Sequence, residues 1–209
     1  MEKTPSQYID LRLNLLEQVK SRVNLIEGEE DPELRNYFLP YKQELHGQSW
    51  LPVQRSQLIG DLLQADVVIG GDFHAFAQSQ RTHLRIIRSL KKLNRPLVLA
   101  LECFESKHQS IIDDFMSNKI SHEQLLSKVN WDEDWGFPWK HYWPLVKYAK
   151  NRGHKVLAVN SKSLINSSSD NTHSRDQHIA NIINNEKKVN EDALVYLVIG
   201  DLHLSLIHI

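Results

Sequence analysis

Two copies of one short pattern stand at the ends of two apolar runs, and this repeat constrains the fold more than any other feature of the chain. Gly-Asp-Phe-His at positions 71–74 follows the run 65–70, and Gly-Asp-Leu-His at 200–203 follows the run 193–199. Turns that are distant in sequence meet at one edge when their strands run parallel in one sheet. The repeat therefore predicts that two histidines and two aspartates gather in one place, which is the material of a metal site or an acid–base site.

Four short and almost wholly apolar runs are the strand candidates: Val67–Ile69, Leu97–Leu101, Val156–Val159 and Leu194–Ile199. This composition is typical of parallel strands that are covered on both faces. Amphipathic helical patterns lie between the runs, such as the apolar stripe from Leu84 to Leu93. The alternation predicts an α/β fold with a mostly parallel sheet and helices on both faces.

Helices are also predicted before the first strand. Apolar residues at spacings of three and four from Leu11 to Ile26 indicate one helix, and further helices are expected over 32–45 and from Ser56 to Leu63. We therefore expect an N-terminal helical extension, 1–64, packed on an α/β domain, 65–203. The segment 204–209 matches the in-frame translation of a common transposase sequencing adapter, so we expect it to be an assembly artefact that cuts the natural chain near His203.

Local signals predict where several later helices begin and end. The segments 106–109 and 121–124 both have the Ser-x-x-Gln form of a capping box. A helix is expected from Pro144 to Arg152, with Gly153 just beyond its end. Ser174 is expected to cap a further helix.

Composition excludes several classes of function. The formal net charge is −1, which gives no general attraction to nucleic acid or to anionic membranes. Cys103 is the single cysteine, so no disulfide forms within the chain, and we expect it to be a small buried hydrophobe. The sequence shows no secretory signal and no run that could span a bilayer, and we expect a cytoplasmic protein.

Polar residues follow each predicted strand: Asp72 and His74, then Glu102, then Asn160, and finally Asp201 and His203. A carboxylate after an apolar strand is costly unless it is solvated, paired or bound to a metal. Several carboxylates in one cleft raise at least one pKa unless a cation lies among them. That cation could be Arg175, a protonated histidine or a metal.

Two chemistries suit this set of residues. In the first, His74, Glu102, His203 and Asp201 hold a divalent transition metal that activates water. In the second, no metal is needed, and Asp72 or Glu102 is the general base with His74 as its partner.

Ordinary structural roles compete with these assignments. Gly and Asp are common turn residues after a strand, and Asn160 could serve only as a turn former. Arg175 and Asp176 could be first-turn residues behind the Ser174 cap. The Ser- and Asn-rich segment 166–173 suits a surface loop or a lid over the site.

Four of the five tryptophans lie within 131–143. This segment suits either a packed aromatic cluster that closes one side of the core or an apolar wall for a flat ligand such as a porphyrin. In the second case Tyr142 or His141 would lie within reach of the iron.

At these residues the chain resembles the ChaN-like haem-binding family, which shares a superfamily with the Tiki proteases and the erythromycin esterases. The matching segments are 69–74, 99–104, 131–142, 159–160, 174–176 and 199–203. The resemblance implies an α/β sandwich with a parallel sheet. It also implies a site of two Gly-x-x-His turns and a glutamate, carried here onto His74, Glu102 and His203.

The resemblance implies different activities in different branches. In Tiki-like members these groups resemble a metal-dependent hydrolytic site, and in esterase-like members a Glu/His pair acts without a metal. ChaN-like members bind haem through a tyrosine and as dimers, which implies haem as cofactor and a homodimer here, although no tyrosine is assigned by a motif. The chain departs from the family in having Asp72 where glutamate is usual and in lacking the lipoprotein export signal.

Three hypotheses follow. The first is a haem- or metal-binding protein whose partner is haem or another small molecule, with cofactor-binding candidates Tyr142, His141, Asn160 and Arg175. The second is a hydrolase of peptide or ester bonds that uses Asp72, His74, Glu102 and His203, with or without a metal. The third is a scaffold with a vestigial polar edge.

Overall fold

The computed structural model describes residues 10–18, 21, 53–90, 92–161 and 170–204. The chain divides into two compact units, 1–49 and 50–209. In the first unit, residues 10–18 form helix α1, in agreement with the start of the helix predicted from Leu11. The predicted helix over 32–45 and the segment 205–209 lie outside the described residues.

The second unit alternates strands and helices. Its elements are α2 (Arg55–Gln64), β1 (Val67–Asp72), α3 (Ala77–Ser89), β2 (Leu97–Glu105), α4 (Gln109–Met116), α5 (His122–Lys128), α6 (Trp131–Asp134), α7 (Trp139–Arg152), β3 (Lys155–Asn160), α8 (Asp170–Val189) and β4 (Leu194–Gly200). Short 3₁₀ turns follow β2 at Ser106–His108 and β4 at Asp201–His203. Among the helices of the described ranges, none combines the length and the apolar composition that a bilayer-spanning segment needs.

The four strands form one parallel sheet in the order β1-β4-β2-β3. All four predicted strands are present, and the predicted α/β class is confirmed. The main difference concerns β2, which was expected to end at Leu101 but continues to Glu105. Its pairing with β3 shifts register between Leu101 and Glu105, so Glu102 lies inside an irregular part of the strand rather than after it.

Apolar side chains fill both faces of the sheet. Leu99 and Leu101 of β2 belong to one core cluster, which also contains residues of α3, α4 and α7. Val98 and Ala100 belong to the other, together with Ile179 of α8. Because successive strand residues point to opposite faces, this alternation covers both sides of the sheet with helices, as predicted.

The helix signals were partly correct. Ser121 and Gln124 form the predicted reciprocal capping box, and Gly153 ends α7 with a left-handed φ of 66°. Helix α7 begins earlier than predicted, at Trp139, and Pro144 lies inside it.

Two predicted helix starts were wrong. The Ser106 hydroxyl makes a tertiary hydrogen bond with His178 Nε2 at 3.0 Å, and residues 106–108 form a 3₁₀ turn instead of a capped helix start. The side-chain amide of Gln109 makes two hydrogen bonds with the backbone of β3, where Nε2 donates to Val156 O and Oε1 accepts from the Ala158 amide. Ser174 is not a cap either, because α8 begins at Asp170. At Ser106 a contact distant in sequence decides the local structure.

Gly70 is required because the His83 side chain of α3 packs closely against β1 at this position. The buried His83 ring contacts this strand, with Nε2 2.9 Å from Gly71 O and Nδ1 3.1 Å from the Tyr196 hydroxyl. Burial lowers the pKa of His83, so its neutral ring donates to the carbonyl and accepts from the tyrosine. A Cβ on Gly70 would lie 2.5 Å from His83 Cε1, which is too close for any side chain.

We therefore expect Gly70→Ala to destabilise the protein by about 2 kcal/mol, because the added methyl overpacks a buried contact. Urea unfolding followed by circular dichroism measures the change. Gly60→Ala is the matched control, since its Cβ would meet nothing within 4 Å. As Gly60 lies inside α2, this change should stabilise by up to about 1 kcal/mol. Equal effects of the two substitutions would contradict the close-contact argument.

Candidate functional site

The two repeated turns lie side by side at the carboxyl edge of the sheet. Strands β1 and β4 are neighbours, and Asp72 pairs in register with Gly200. His74 Nε2 lies 3.7 Å from Glu102 Oε2, and His203 Nε2 lies 3.4 Å from Glu102 Oε1. The structure thus brings two imidazoles to opposite oxygens of one carboxylate, across more than 120 residues of sequence.

Each imidazole also has a carboxylate at its other nitrogen. His74 Nδ1 lies 2.9 Å from Asp72 Oδ2, and His203 Nδ1 lies 2.6 Å from Asp176 Oδ1. A carboxylate at Nδ1 fixes the orientation of a histidine ring and aims Nε2 at the next group. The result is a continuous chain in the order Asp72, His74, Glu102, His203 and Asp176, called here the Glu102 cluster.

Glu102 is the centre of this cluster and is 3% exposed. The Gly200 amide donates to Oε2 at 2.6 Å, and the Arg175 guanidinium donates to Oε1 at 2.6 Å. Burial alone would raise the pKa of Glu102, but hydrogen bonds from His203 and Gly200 outweigh it and hold the pKa below its usual value. The side chain is therefore ionised, and Arg175 is one of the compensating cations.

His203 supplies the second cation. Burial disfavours its charged form, but the hydrogen bonds with Asp176 and Glu102 outweigh burial and raise the pKa of His203 to about 9. The ring is therefore an imidazolium at neutral pH, held between two carboxylates. The cluster meets the sequence expectation of a cation among its acids by using Arg175 and His203.

Asp72 is held by three neutral or cationic donors. Its Oδ1 accepts from Gln80 Nε2 at 2.5 Å, and its Oδ2 accepts from the Tyr142 hydroxyl at 2.9 Å beside His74. Burial would raise the pKa of Asp72, but hydrogen bonds from His74, Gln80 and Tyr142 lower it overall. Asp72 is therefore an ionised, enclosed support for His74.

Tyr142 was a candidate cofactor ligand, and the structure places it inside the protein. Its side chain is 1% exposed, and its hydroxyl faces Asp72 and His74. Burial and the neighbouring Asp72 carboxylate raise the pKa of Tyr142, so the phenol keeps its proton. In this position Tyr142 is a hydrogen-bond donor to the Glu102 cluster.

The glycine that opens the second repeated turn makes room for the cluster. A Cβ on Gly200 would lie 3.2 Å from His74 Nε2 and 3.4 Å from Glu102 Oε2. Any side chain there would push one of these groups aside.

The remaining predicted site residues lie around the cluster. Asn160 Oδ1 accepts from Arg175 at 3.1 Å and from the Ser161 amide at 2.8 Å, so it helps to orient the guanidinium. His141 Nδ1 lies 3.4 Å from His74 O. Asp201 begins the 3₁₀ turn after β4 and is partly exposed.

The predicted metal set of His74, Glu102, His203 and Asp201 finds no geometric support. Within the described residues, no group of three or more His, Cys, Asp or Glu side chains is arranged to hold a metal ion. Both ring nitrogens of His203 already face carboxylates, and Glu102 already accepts from Arg175 and Gly200.

Sequence reasoning missed two members of the site. The sequence offers a first-turn role for Asp176 and assigns it no partner, and it gives no role to Gln80. The signal for Asp176 was its position beside Arg175, but its pairing with a histidine 27 residues away depends on how α8 packs on the sheet. No local pattern marks Gln80, which reaches Asp72 from the first turn of α3.

The tryptophan-rich segment forms a packed aromatic cluster, and part of it borders the Glu102 cluster. Trp131 is buried, and its indole donates to Phe137 O at 2.8 Å within a packed aromatic cluster. Trp135 and Phe137 form one wall of the site, with ring centroids 4.6 and 5.1 Å from the His74 ring. In the segment 166–173, proposed as a loop or lid, residues 166–169 lie outside the described residues and residues 170–173 belong to α8.

The His203 ion pair makes the stability of the protein dependent on pH. Because the pKa of His203 is raised from 6.5 to about 9 on folding, its contribution is complete below about pH 6.5 and is lost as pH rises through about 9. We expect Asp176→Asn to move the midpoint of the His203 ring titration down, because the largest favourable partner loses its charge. NMR titration of the ring measures this midpoint.

The control is Asp192→Asn, which removes an exposed carboxylate just before β4. This change should leave the His203 midpoint near 9. A wild-type midpoint near 6.5, or the same midpoint in both variants, would contradict the assignment of His203 as an imidazolium.

The chain matches one known protein family over most of the α/β unit. The family described as "Haem-binding uptake, Tiki superfamily, ChaN" matches residues 58–171, which is more than half of the 209 residues. Comparison with curated proteins gives no match.

Several solved structures share the fold. ChaN of Campylobacter jejuni, described with cofacial heme binding, is 21% identical, with a TM-score of 0.51 over 74% of this chain and 77% of that one. RRSP, a MARTX toxin effector domain from Vibrio vulnificus, is 18% identical, with a TM-score of 0.54 over 70% of this chain. The C-terminal region of Pasteurella multocida toxin, described with a thiol-protease-like catalytic triad, is 12% identical, with a TM-score of 0.56 over 87% of this chain.

The chain spans only 30% and 25% of the two toxin structures. At these identities the three likenesses show a common fold and nothing finer. The family match rests instead on the sequence, from the first half of α2 to the start of α8, and includes His74, Glu102 and the aromatic wall. The chain belongs to the ChaN family of haem-binding uptake proteins in the Tiki superfamily.

Proposed function

We propose that the protein binds haem at the rim of the Glu102 cluster, with His141 as the axial ligand of the iron. The observation that carries this assignment is the hydrogen bond between His141 Nδ1 and His74 O at 3.4 Å. A carbonyl can only accept, so Nδ1 carries the proton and the lone pair of Nε2 remains for a metal. Backbone carbonyls are common partners of metal-ligating histidines.

The surface beside His141 suits the apolar body of a porphyrin. Phe73 and Phe76 are 55% and 64% exposed and flank His74 in the loop after β1. Leu204, which follows the second repeated turn, is 40% exposed. Exposed side chains of this size on turns around a site are typical of ligand contacts.

Tyr142 is the competing ligand, because the family resemblance implies a tyrosine. Burial raises the pKa of its phenol, and its hydroxyl donates a hydrogen bond to Asp72. Iron binding would therefore break a buried hydrogen bond and deprotonate a group held in its neutral form. His141 is partly exposed and meets neither cost. Haem bound here would supply an iron centre. The protein would supply the His141 imidazole and an apolar surface formed by Phe73, Phe76 and Leu204.

We expect His141→Ala to abolish or strongly weaken the Soret band that forms when hemin is added to the purified protein. Titration followed by absorbance measures affinity and stoichiometry. Tyr142→Phe is the matched control, since it removes a hydroxyl and keeps the ring, and it should retain the band. Loss of the band in Tyr142→Phe with retention in His141→Ala would reverse the assignment.

The contribution of the exposed apolar side chains to haem binding is tested separately. The double substitution Phe73→Ser and Phe76→Ser should weaken hemin binding at least tenfold without moving the position of the Soret band, because the iron ligand is unchanged. The homodimer implied by the family belongs to the same proposal. Size-exclusion chromatography with and without hemin measures the oligomeric state. A monomer that binds hemin at a 1:1 ratio would remove the dimer from the proposal.

A metal-free hydrolase of peptide or ester bonds is the second candidate. It is favoured by a specific observation, namely an ionised Glu102 placed between two oriented histidines. In this function Glu102 takes a proton from an attacking water on the side of His74, whose side chain is 22% exposed. The His203 imidazolium donates a proton to the leaving group or stabilises the developing negative charge.

If the protein is a hydrolase, Glu102→Gln should reduce kcat/KM by about 10²- to 10⁴-fold, the range expected for loss of a general base. A panel of generic esters and peptides measures the rate. Glu105→Gln, in the same strand but outside the Glu102 cluster, should leave the rate unchanged. The rate should fall above about pH 9, where His203 loses its proton, and Asp176→Asn should move this fall to lower pH. Equal rates in Glu102→Gln and wild type would rule out this function.

A further inference from the structure

A groove between α2 and α3 is separate from the Glu102 cluster and shares no residue with it. Its volume is about 870 Å³, within the range of sites for small molecules. The groove is lined by α2 along its length and by the last turns of α3, whereas the Glu102 cluster lies at the opposite end of α3.

The charge of this groove is strongly one-sided. Its cationic lining consists of Arg55, Arg85, Arg88 and Lys92, and no acidic residue is among the described residues that line it. Across the described ranges, none of the four cations forms an ion pair with a carboxylate. Arg55 donates instead to the Ser89 hydroxyl at 2.7 Å. Four uncompensated cations around one concavity create a positive potential that favours an anionic ligand.

Helix stability explains only some of these cations. Arg88 lies in the last turn of α3, where the helix dipole favours positive charge. Arg55 is the first residue of α2, where the same dipole disfavours it, and the first turn contains no acid. Arg55 therefore adds to the local positive charge at a position where a cation destabilises the helix. An anionic ligand would offset this unfavourable interaction.

The floor of the groove is apolar. Ile59 and Leu63 of α2 line it and are only partly buried against the core. Gly60 lies between them and adds no side chain. A cationic rim over an apolar floor matches a ligand that has an anionic head and a hydrocarbon body.

We propose that this groove binds a small amphipathic anion, namely an alkyl chain that carries a phosphate or carboxylate head. The head lies against Arg85 and Arg88, whose planar guanidinium groups suit both kinds of oxyanion. The chain lies over Ile59 and Leu63. This proposal is independent of the function proposed for the Glu102 cluster.

Isothermal titration calorimetry of the full chain with decyl phosphate, below its micelle concentration, tests the proposal. Wild-type protein should bind, and the double substitution Arg85→Gln and Arg88→Gln should weaken binding at least tenfold. Arg81→Gln is the matched control, because Arg81 is exposed on the same helix and does not line the groove. Thermal unfolding of each variant checks that the fold is retained.

Two further ligands separate the head from the chain. Decyl maltoside, which has no charge, and inorganic phosphate, which has no chain, should both bind at least tenfold more weakly than decyl phosphate. Decanoate should bind comparably. Equal binding of decyl maltoside, equal binding by the Arg85/Arg88 and Arg81 variants, or no binding of decyl phosphate to wild type would overturn the proposal.

Discussion

The buried, ionised carboxylate of Glu102 is the constraint on which the carboxyl edge of the sheet depends. Removing such a charge from water costs several kcal/mol unless it is fully compensated. Its compensation comes from three elements at once, through the Gly200 amide of β4, the Arg175 guanidinium of α8 and the His203 ring after β4. Each donor must therefore hold its place, and the ion pairs fix α8 and the second turn relative to β2.

The parts of the fold that were predictable from sequence are those determined locally. The four apolar runs identified the strands, and the alternation with helices identified the parallel sheet, because burial on both faces leaves a distinctive composition. The convergence of the two repeated turns followed from topology, since β1 and β4 are both parallel members of one sheet. Gly200 was visible as a member of the repeated turn, and Gly70 lies just before the first copy. The physical reason for these glycines, which is the close approach of His83 to Gly70 and of the site side chains to Gly200, was not visible.

The parts that were not predictable depend on contacts across the fold. Ser106 has the sequence of a helix cap, yet its hydroxyl pairs with His178 of α8, because a tertiary partner competes with the local backbone. Asp176 and Gln80 reach the site from helices whose rotation no short pattern specifies. The apolar run that ends at Leu101 gives no sign of the register shift that keeps Glu102 within β2 and surrounds it with donors.

The two functions proposed for this site share one opening, and this makes them physically coupled. Glu102 is enclosed, and the proposed hydrolase would admit water along His74, which Trp135 and Phe137 flank on one side. A porphyrin seated on Phe73 and Phe76 would cover that same approach. Haem binding and hydrolysis would therefore exclude each other in one molecule. His141 makes a hydrogen bond with the carbonyl of His74, the histidine that faces Glu102. A ligand bound to the His141 ring would therefore also influence the position of His74.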